Sequence, residues 1–381
     1  EFGTTHVRRI GGANRYAVSV GVADFAVATA GFAWTDPAFA SGAAPADALA
    51  GGVHAGRRGA PVLLLGSDRV PDEVGAKLWS QRAVVSTVTF FGGPNTIPDH
   101  VRIEVLQALD APLFSVSRAM AHVKAIAALG PRAAGGSAER KAAEYIAGQL
   151  RSYGYSVTVQ TGIPIPGGKT TRNVIAEKAG SEAGVIVLGA HMDSKSPSPG
   201  ANDNASGVAV TLEIARVLAQ AEGLVPTVRF IAFGAEEIAG ATSDDHHFGS
   251  RHYVANLSSA AKARIESMMS IDMVGYGATF NVRNLGVAPM TTVASLRKWA
   301  RFNKQALPYL ADPSRSGWSD HESFEFAGIP AAWLEWRDDP RYHTTRDTAS
   351  HVQSDKVRRT GRLVRGWLLD ISAAELDALD S

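Results

Sequence analysis

The chain has 381 residues, a formal net charge of +1, and hydrophobic and charged contents of 45% and 20%, which are typical of a globular protein with two or three domains. The near-neutral charge gives no reason to expect nucleic acid or an anionic membrane as a partner, and no apolar run approaches the ~20 residues of a membrane span. The chain has no cysteine, which excludes disulfides, a cysteine nucleophile and thiolate-bound zinc.

The first 110 residues alternate short helical and apolar segments, which is the pattern of a small parallel α/β domain. The predicted helices cover residues 14–28, 47–55, the segment after Pro71, and 101–109, and the predicted strands cover 62–65 and 84–91, with turn-prone residues at 41–45. Pro112 disfavours helix in the residue before it, so we predict a domain boundary at 110–112. The expected domains are therefore residues 1–110 and residues 111–381.

Four motifs of the first domain resemble a cell-wall-binding repeat of Gram-positive surface proteins. They are residues 9–16 (RIGGANRY), 47–50 (DALA), 59–64 (GAPVLL) and 91–93 (FGG). Such modules usually occur as three tandem copies, and this sequence carries one. The resemblance implies that the module binds a cell-wall polymer. The alternatives are trimerisation between chains, a role as a spacer, and an accessory α/β domain without wall affinity.

Residues 111–381 carry the pattern of a larger α/β domain with a mixed sheet. The predicted helices cover residues 117–129, 137–153, 207–221, 251–257, 291–301 and 354–379. The predicted strands cover residues 156–160, 173–177, 185–190, 227–233, 268–272 and 331–335. The fold class predicted from the sequence is therefore α/β, with a large mixed-sheet domain preceded by a small parallel one.

Clusters of His, Asp and Glu lie in this second domain, most of them at the ends of predicted strands. In chain order the clusters are His191 with Asp193, Asp203 with Asn204, Glu236 with Glu237, Asp272, and Tyr342 with His343. The carboxyl ends of the strands in an open α/β sheet are where ligands bind. So many carboxylates at one edge would repel each other unless a cation neutralises them. The pattern therefore predicts a metal site with more than one metal.

Each cluster alone also has an ordinary structural explanation. Asp203 precedes an apolar helix, where Asp is a preferred N-cap. Glu236 and Glu237 suit an exposed helix start, where Glu is favoured by the helix dipole. His343 lies in a turn-prone segment and, taken alone, is more often a surface histidine. Asp272 differs from these, because a lone carboxylate between apolar neighbours needs a hydrogen-bond partner or a metal.

The ordered set of clusters resembles the zinc aminopeptidases of peptidase family M28. The likeness covers about 250 residues from Val123 onward and includes a Ser-Asp-His-x-x-Phe element at 319–324. The resemblance implies an α/β zinc-peptidase fold (phosphorylase/hydrolase-like) that holds two zinc ions per chain. It assigns the ligands of the first zinc as His191, Asp203 and Asp272, and those of the second as Asp203, Glu237 and His343.

The same resemblance assigns roles to three further side chains. Glu236 is expected to be the general base, because a carboxylate that is not a ligand must take the proton of the attacking water and pass it to the leaving amine. Asp193 is expected to fix the tautomer and orientation of the His191 imidazole. Tyr342 is expected to assist the oxyanion.

The resemblance implies a metallo-aminopeptidase that acts on peptide substrates with a free N-terminus. The alternatives are another hydrolase on the same scaffold, such as a carboxypeptidase or a glutaminyl cyclase, and a cell-wall adhesion protein with an inert peptidase domain. The complete ligand sets disfavour the cyclase and the inert domain. Residues 1–4 lack the features of a signal peptide. The lack of cysteine and the wall-binding resemblance favour a secreted or cell-wall-associated protein of Gram-positive type.

One segment departs from the family pattern. Relatives tend to have a short loop between Glu237 and the helix near Arg251, whereas this chain inserts residues 238–248. The polar composition of the insertion favours a solvated loop, and the alternatives are a lip over the substrate site or an extra metal-binding patch. Asp320 and His321 are expected to support the site or cap a helix rather than bind zinc.

Overall fold

The computed structural model describes residues 7–312 and 317–380, and within them the chain forms two compact units. Leu113 is the last residue of the first unit, and Phe114 is the first residue of the second. The first unit has a parallel sheet and the second a mixed sheet, so the fold class predicted from the sequence is confirmed. In the described ranges, no helix has both the length and the apolar character of a membrane span.

The first unit packs helices around a short parallel sheet. Its strands are β1 (Ala38–Ser41), β2 (Val62–Leu65) and β3 (Thr89–Phe91), and its helices are α1 (Arg15–Thr29), α2 (Pro45–Arg57), α3 (Asp72–Gln81) and α4 (Asp99–Asp110). The strand order is β2-β1-β3, so β1 is the central strand. The sequence analysis missed β1, whose Ala-Phe-Ala-Ser sequence is fully buried but has no β-branched residue. It also made β3 too long, because only three residues of the predicted 84–91 pair with β1.

The second unit is built on a larger mixed sheet. Its strands are β4 (Val157–Ile165), β5 (Lys169–Lys178), β6 (Val185–His191), β7 (Thr227–Phe233), β8 (Ile265–Ile271), β9 (Thr279–Asn284), β10 (Tyr309–Ala311) and β11 (Ala331–Arg337). Its helices are α5 (Val116–Ala127), α6 (Ser137–Ser152), α7 (Gly207–Ala219), α8 (Phe248–Ala255), α9 (Ser259–Lys262), α10 (Thr291–Phe302), α11 (His321–Phe326), α12 (Ser354–Asp370) and α13 (Ala373–Asp377). In the described chain the strand order is β10-β9-β11-β8-β6-β7-β5-β4.

The middle of this sheet decides where the functional side chains lie. The neighbouring strands β11, β8, β6 and β7 run parallel, and every residue of β6 is buried. The register pairs His191, the last residue of β6, with Phe233, the last residue of β7. It also pairs Gly189 of β6 with Ser270, which precedes the last residue of β8. The segments that follow these strands therefore emerge at one edge of the sheet, where ligands bind in open α/β folds.

Two further parts of the second unit differ from the prediction. The strands β9 and β10 were not predicted from the sequence. In β9 the reason is a buried polar side chain: Arg283 donates to the Glu335 carboxylate of β11 at 2.9 Å, so the strand lacks an apolar run. The predicted helix over 354–379 is two helices. α12 ends at Asp370, and Ser372 starts α13 with a capping box, in which its hydroxyl accepts from the Glu375 N–H and the Glu375 carboxylate accepts from the Ser372 N–H.

Gly207, the first residue of α7, allows that helix to approach the end of β8. A Cβ at this position would lie 1.9 Å from the carbonyl oxygen of Ile271 and 2.4 Å from Oδ1 of Asn204. No side chain fits at such distances, so only glycine lets the segment before α7 lie against the end of β8. This close approach brings Asp203 and Asp272 to the same place.

We therefore expect Gly207→Ala to lower the free energy of unfolding by about 1–3 kcal/mol, the usual cost of overpacking. The matched control is Gly148→Ala in α6, where a Cβ would meet no atom within 4 Å. There we expect alanine to stabilise the helix by about 0.5–1 kcal/mol, because glycine loses more backbone freedom on folding. Calorimetric melting of both variants measures the difference. Equal melting temperatures for the two variants would contradict this account of Gly207.

Candidate active site

His191 ends the buried strand β6 and lies among the predicted acidic residues. Its Nε2 is 3.2 Å from Oδ1 of Asp203, 3.3 Å from Oδ1 of Asp272 and 3.8 Å from Oε2 of Glu236. The three carboxylates come from three different segments, those before α7, after β8 and after β7. The parallel strands therefore bring together residues that are up to 81 positions apart in the sequence, from 191 to 272.

A second group of ligating atoms surrounds His343, which lies in the segment between β11 and α12. Its Nε2 is 3.1 Å from Oε1 of Glu237 and 3.2 Å from Oδ2 of Asp203. The two oxygens of Asp203 thus face two different histidines, Oδ1 towards His191 and Oδ2 towards His343. Asp203 lies between the two groups, where a bridging ligand would have to be.

These side chains fit the ligands that zinc takes in cysteine-free sites, which are imidazole nitrogens and carboxylate oxygens. Ligating atoms of His191, Glu236 and Asp272 lie within 4.8 Å of one another, and so do those of Asp203, Glu237 and His343. Oδ1 of Asp272 accepts no hydrogen bond from any residue that the structure describes, although its side chain is only 4% exposed. A buried carboxylate oxygen that accepts no hydrogen bond is costly without a cation, so this atom supports a metal ligand role.

The electrostatics of the site point the same way. Burial raises the pKa of Glu236 to about 8, in spite of the nearby His191 and His247 imidazoles. Burial and the Asp203 carboxylate also raise the pKa of Glu237. The imidazoles therefore compensate the buried carboxylates only in part: His191 and His343 hold the pKa of Asp203 below its ordinary value, whereas the pKa values of Glu236 and Glu237 stay raised. A cation at these groups would stabilise their charged forms.

Asp193 is fully buried and connects His191 with the segment after β7. Its Oδ1 and Oδ2 accept the backbone N–H groups of Glu236 and Glu237, both at 3.1 Å. Its Oδ1 also lies 3.5 Å from Nδ1 of His191. The sequence predicted that Asp193 lies beside His191, but it did not predict the hydrogen bonds of Asp193 with the two glutamates. One carboxylate therefore fixes the backbone of both glutamates and faces the imidazole.

Asp347 holds the segment of Asp203, and the sequence analysis gave it no role. Its carboxylate accepts the backbone N–H of Asn202 at 2.7 Å and that of Asp203 at 3.1 Å. Burial raises the pKa of Asp347 to about 7, against the effect of these two hydrogen bonds. Asp347 follows His343 by four residues, so one short segment supplies a ligand candidate and the support for the central carboxylate.

Arg132 is a second supporting residue. Its fully buried guanidinium donates to the carbonyl oxygens of Met192 at 2.8 Å and Gly200 at 2.9 Å. These bonds tie the end of β6 to the segment that precedes Asp203. The guanidinium also places a fixed positive charge behind the acidic cluster.

The Ser-Asp-His element lies beside Asp272. Ser319 donates its hydroxyl to Oδ2 of Asp272 at 2.8 Å, which leaves Oδ1 to face His191. Nε2 of His321 lies 2.9 Å from Oδ2 of Asp312, and Asp320 precedes α11 without a side-chain cap bond. Among the described residues, neither Asp320 nor His321 belongs to the two groups of ligating atoms. The orienting contact comes from Ser319, which the sequence analysis did not single out.

A pocket of about 220 Å³ opens over these groups. Its walls are formed by Asp203, Glu236, Glu237, Asp272, Met273, Arg283, Trp318, Trp333, Glu335, Arg337, Asp338, Asp339 and Tyr342. Tyr342 is half-exposed and its ring stacks on that of His343, with the centroids 3.6 Å apart. Burial raises the pKa of the Tyr342 phenol, so its hydroxyl is a hydrogen-bond donor at neutral pH. The ligand groups thus face a space that can hold part of a substrate.

Comparison with known families decides the class of this protein. Residues 173–368, just over half of the chain, match the sequence model of peptidase family M28. The chain belongs to peptidase family M28. Residues 9–102 match the model of cell wall binding domain 2, CWB2. Both resemblances that were drawn from sequence motifs are therefore confirmed.

Named relatives agree with the M28 assignment. The chain is 35% identical to the aminopeptidase YwaD of Bacillus subtilis over 215 residues, which are 51% of this chain and 44% of that protein. The chain spans less than half of the length of the first curated relatives that it matches. The likeness therefore concerns the M28 region and not the full length of these relatives.

Two solved M28-like structures show how the scaffold is shared. BSAP, a zinc aminopeptidase from Bacillus subtilis, superposes with a TM-score of 0.60 at 23% identity, over 67% of this chain and 94% of that chain. At this identity the likeness shows the fold alone. A glutaminyl cyclase from Porphyromonas gingivalis superposes with a TM-score of 0.59 at 28% identity, over 67% of this chain and 98% of that chain. The M28 fold therefore leaves two reaction types to be distinguished at the site.

The support of Asp203 by Asp347 leads to a prediction. We expect Asp347→Asn to lower zinc affinity roughly 10- to 100-fold, because an amide can accept only one of the two backbone N–H groups and outer-shell partners typically contribute this much. Titration of the metal-free variant with zinc in a competing chelator measures the change. The matched control is Asp355→Asn in the exposed first turn of α12, for which we expect the affinity of the natural chain. Equal affinities in the two variants would remove Asp347 from this role.

Proposed function

We propose that this chain is a zinc-dependent aminopeptidase that holds two zinc ions and removes N-terminal residues from peptides. The observation that carries the proposal is the position of Asp203, whose two oxygens face the histidines of two separate ligand groups. We assign His191, Asp203 and Asp272 to one zinc, and Asp203, Glu237 and His343 to the other. Two zinc ions at these residues would polarise the scissile carbonyl and lower the pKa of the attacking water.

Glu236 is the proposed general base. It neighbours Glu237, yet its Oε2 lies 3.8 Å from Nε2 of His191, on the side of the first ligand group. Its backbone is fixed by Asp193, so the carboxylate is held at the border of the pocket. From there Glu236 can take a proton from the attacking water and deliver it to the leaving amine. Tyr342, at the pocket wall, is the proposed donor to the oxyanion.

Specificity for a free N-terminus follows from the charge of the pocket. Besides the three carboxylates assigned to zinc, the pocket wall carries those of Glu236, Glu335, Asp338 and Asp339. A protonated α-amine entering this space is attracted by that charge, whereas an acylated N-terminus is neutral and larger. We therefore propose that the acidic wall selects the first residue of a peptide.

The alternative within the family is cyclisation of an N-terminal glutamine, because glutaminyl cyclases share this scaffold. Cyclisation needs a polarised γ-amide but no activated water, because the α-amine of the substrate is itself the nucleophile, whereas this chain has two groups of ligating atoms in the described residues. The inert adhesion protein is disfavoured by the same complete set of ligands together with Glu236. Peptide hydrolysis is therefore the proposal that uses all of these side chains.

The first experiment combines metal content with two substrates. We expect about two zinc ions per chain, hydrolysis of leucine-p-nitroanilide, and loss of hydrolysis when the amine of the same compound is acetylated. Treatment with a chelator should abolish hydrolysis, and added zinc should restore it. Cleavage of the acetylated compound would contradict the aminopeptidase hypothesis. Conversion of glutaminyl peptides to pyroglutamyl peptides without hydrolysis would favour the cyclase.

The second experiment tests Glu236. We expect Glu236→Gln to lower kcat by roughly 10²–10⁴-fold, since an amide cannot accept the proton from water. Its zinc content should equal that of the natural chain, because Glu236 is not a proposed ligand. Glu237→Gln is the matched comparison, and we expect that variant to lose zinc as well as activity. Normal kcat in Glu236→Gln would exclude it as the base.

The first unit is proposed to bind a cell-wall polymer, on the basis of its match to CWB2. We expect the full chain with Glu236→Gln, which cannot trim wall peptides, to sediment with purified Gram-positive cell walls. Sedimentation should be lost when soluble wall polymer is added as competitor. A chain that stays in the supernatant would contradict wall binding. Light scattering would then distinguish trimerisation from a spacer or an accessory domain without wall affinity. Attachment to the wall would place the peptidase outside the cytoplasm.

A further inference from the structure

His247 lies near the end of the inserted segment 238–248, and three consecutive backbone hydrogen bonds hold this end of the insertion opposite Glu236. The N–H of His247 donates to the Glu236 carbonyl at 3.0 Å, that of Phe248 to Ala235 at 2.9 Å, and that of Gly249 to Gly234 at 3.0 Å. His247 itself has a φ of +55°, in the left-handed region that a residue without glycine's freedom rarely adopts. The end of the insertion is therefore fixed to the segment that carries the proposed base.

The side chain of His247 joins two carboxylates. Its Nε2 lies 3.0 Å from Oε1 of Glu236, and its Nδ1 lies 3.3 Å from Oε1 of Glu322 in α11. The imidazole is 2% exposed, so these contacts do not compete with bulk water. Glu322 is held in turn by Arg251, whose Nη2 donates to Oε1 at 2.8 Å, and by the N–H of Gly317 at 2.6 Å.

This arrangement gives the two oxygens of Glu236 different surroundings. Oε1 is engaged by His247, whereas Oε2 faces His191 and the first ligand group. A free glutamate side chain samples several rotamers, and ordering one of them costs conformational entropy. The contact with His247 offsets part of that cost before the substrate arrives, and it leaves Oε2 for the proton transfer.

The same cluster has a rival interpretation as a third metal site. Ligating atoms of His246, His247 and Glu322 lie within 4.8 Å of one another. However, Nη2 of Arg251 lies 2.8 Å from Oε1 of Glu322 and 3.3 Å from Nε2 of His246. A permanent guanidinium charge thus already neutralises this cluster, and a divalent cation would be repelled by it.

We propose that His247 is a positioning residue that holds Glu236 in the orientation needed for proton transfer, through a hydrogen bond from Nε2 to Oε1. Glu322 and Arg251 keep the imidazole in place. The inference rests on the proposed role of Glu236 as the general base. It gives the insertion a function, because the segment that departs from the family pattern delivers the side chain that orients the base.

The test compares variants of the full chain by kcat, KM and zinc content. We expect His247→Ala to lower kcat roughly 10- to 100-fold, less than the loss from Glu236→Gln, while KM changes less than about twofold. His247→Gln, whose amide N–H can replace Nε2–H, should recover most of that loss. His246→Gln is the matched control, since His246 is the adjacent buried histidine without a hydrogen bond to Glu236, and its kcat should equal that of the natural chain. All variants should keep the same zinc content.

The outcomes separate the inference from the proposed function. If Glu236→Gln keeps normal kcat, the base assignment fails and the role of His247 fails with it. If Glu236→Gln is inactive but His247→Ala has normal kcat, only the positioning role is overturned. The positioning role would be overturned in favour of metal binding if His247→Ala loses zinc. The same would follow if the chain holds a third zinc ion that His246→Gln removes. If His247→Ala fails to fold, His247→Gln decides the question. The proposal requires His247→Gln to be active with an unchanged KM. A loss of kcat in this variant as large as that in Glu236→Gln would overturn the proposal.

Discussion

The active-site half of this molecule is organised by the cost of burying negative charge. Four carboxylates, those of Asp203, Glu236, Glu237 and Asp272, meet at one edge of the sheet within reach of three imidazoles. Burying such groups without compensation is expensive, and the imidazoles only partly provide it. The surrounding structure responds with fixed donors: backbone N–H groups, the guanidinium of Arg132 and a serine hydroxyl. The charge that these donors leave uncompensated is the charge that the proposed zinc ions would neutralise.

Several of the side chains that meet at this edge could be predicted because the apolar strands before them are recognisable in the sequence. His191, Glu236 and Asp272 directly end or follow apolar strands, and parallel strands with aligned ends have only one place to put what comes next. The order of the clusters along the chain then identified the family, which a single histidine or glutamate could not do. Strand β6 could be predicted as well, because a strand that is buried on both faces has a continuous apolar sequence.

Other residues and strands could not be predicted from the sequence, because their roles depend on tertiary contacts. Asp347 looked like one acidic residue in a polar turn, and only the fold shows that its oxygens accept the N–H groups of residues 145 and 144 positions away. His247 was hidden within an insertion whose composition suggested solvent, and that description fits the exposed tip at 241–244 but not the buried histidines at the end. β1 was missed since small residues fill the centre of a sheet without a β-branched pattern. β9 was missed since its buried arginine is paired across the sheet.

The inserted segment has a fixed base and an exposed tip. Its base is fixed by the backbone hydrogen bonds between residues 234–236 and 247–249. A Cβ at Gly249 would lie 2.5 Å from the carbonyl oxygen of Gly234, so the two chain segments run in direct contact and the base of the loop is rigid. The exposed tip, in contrast, is closed on itself by contacts such as that of the Thr242 N–H with Asp245. Lengthening or shortening such a tip adds little closure entropy. Evolution, or an engineer attaching a label or a binding peptide, can therefore remodel this tip while the geometry around the catalytic centre is conserved.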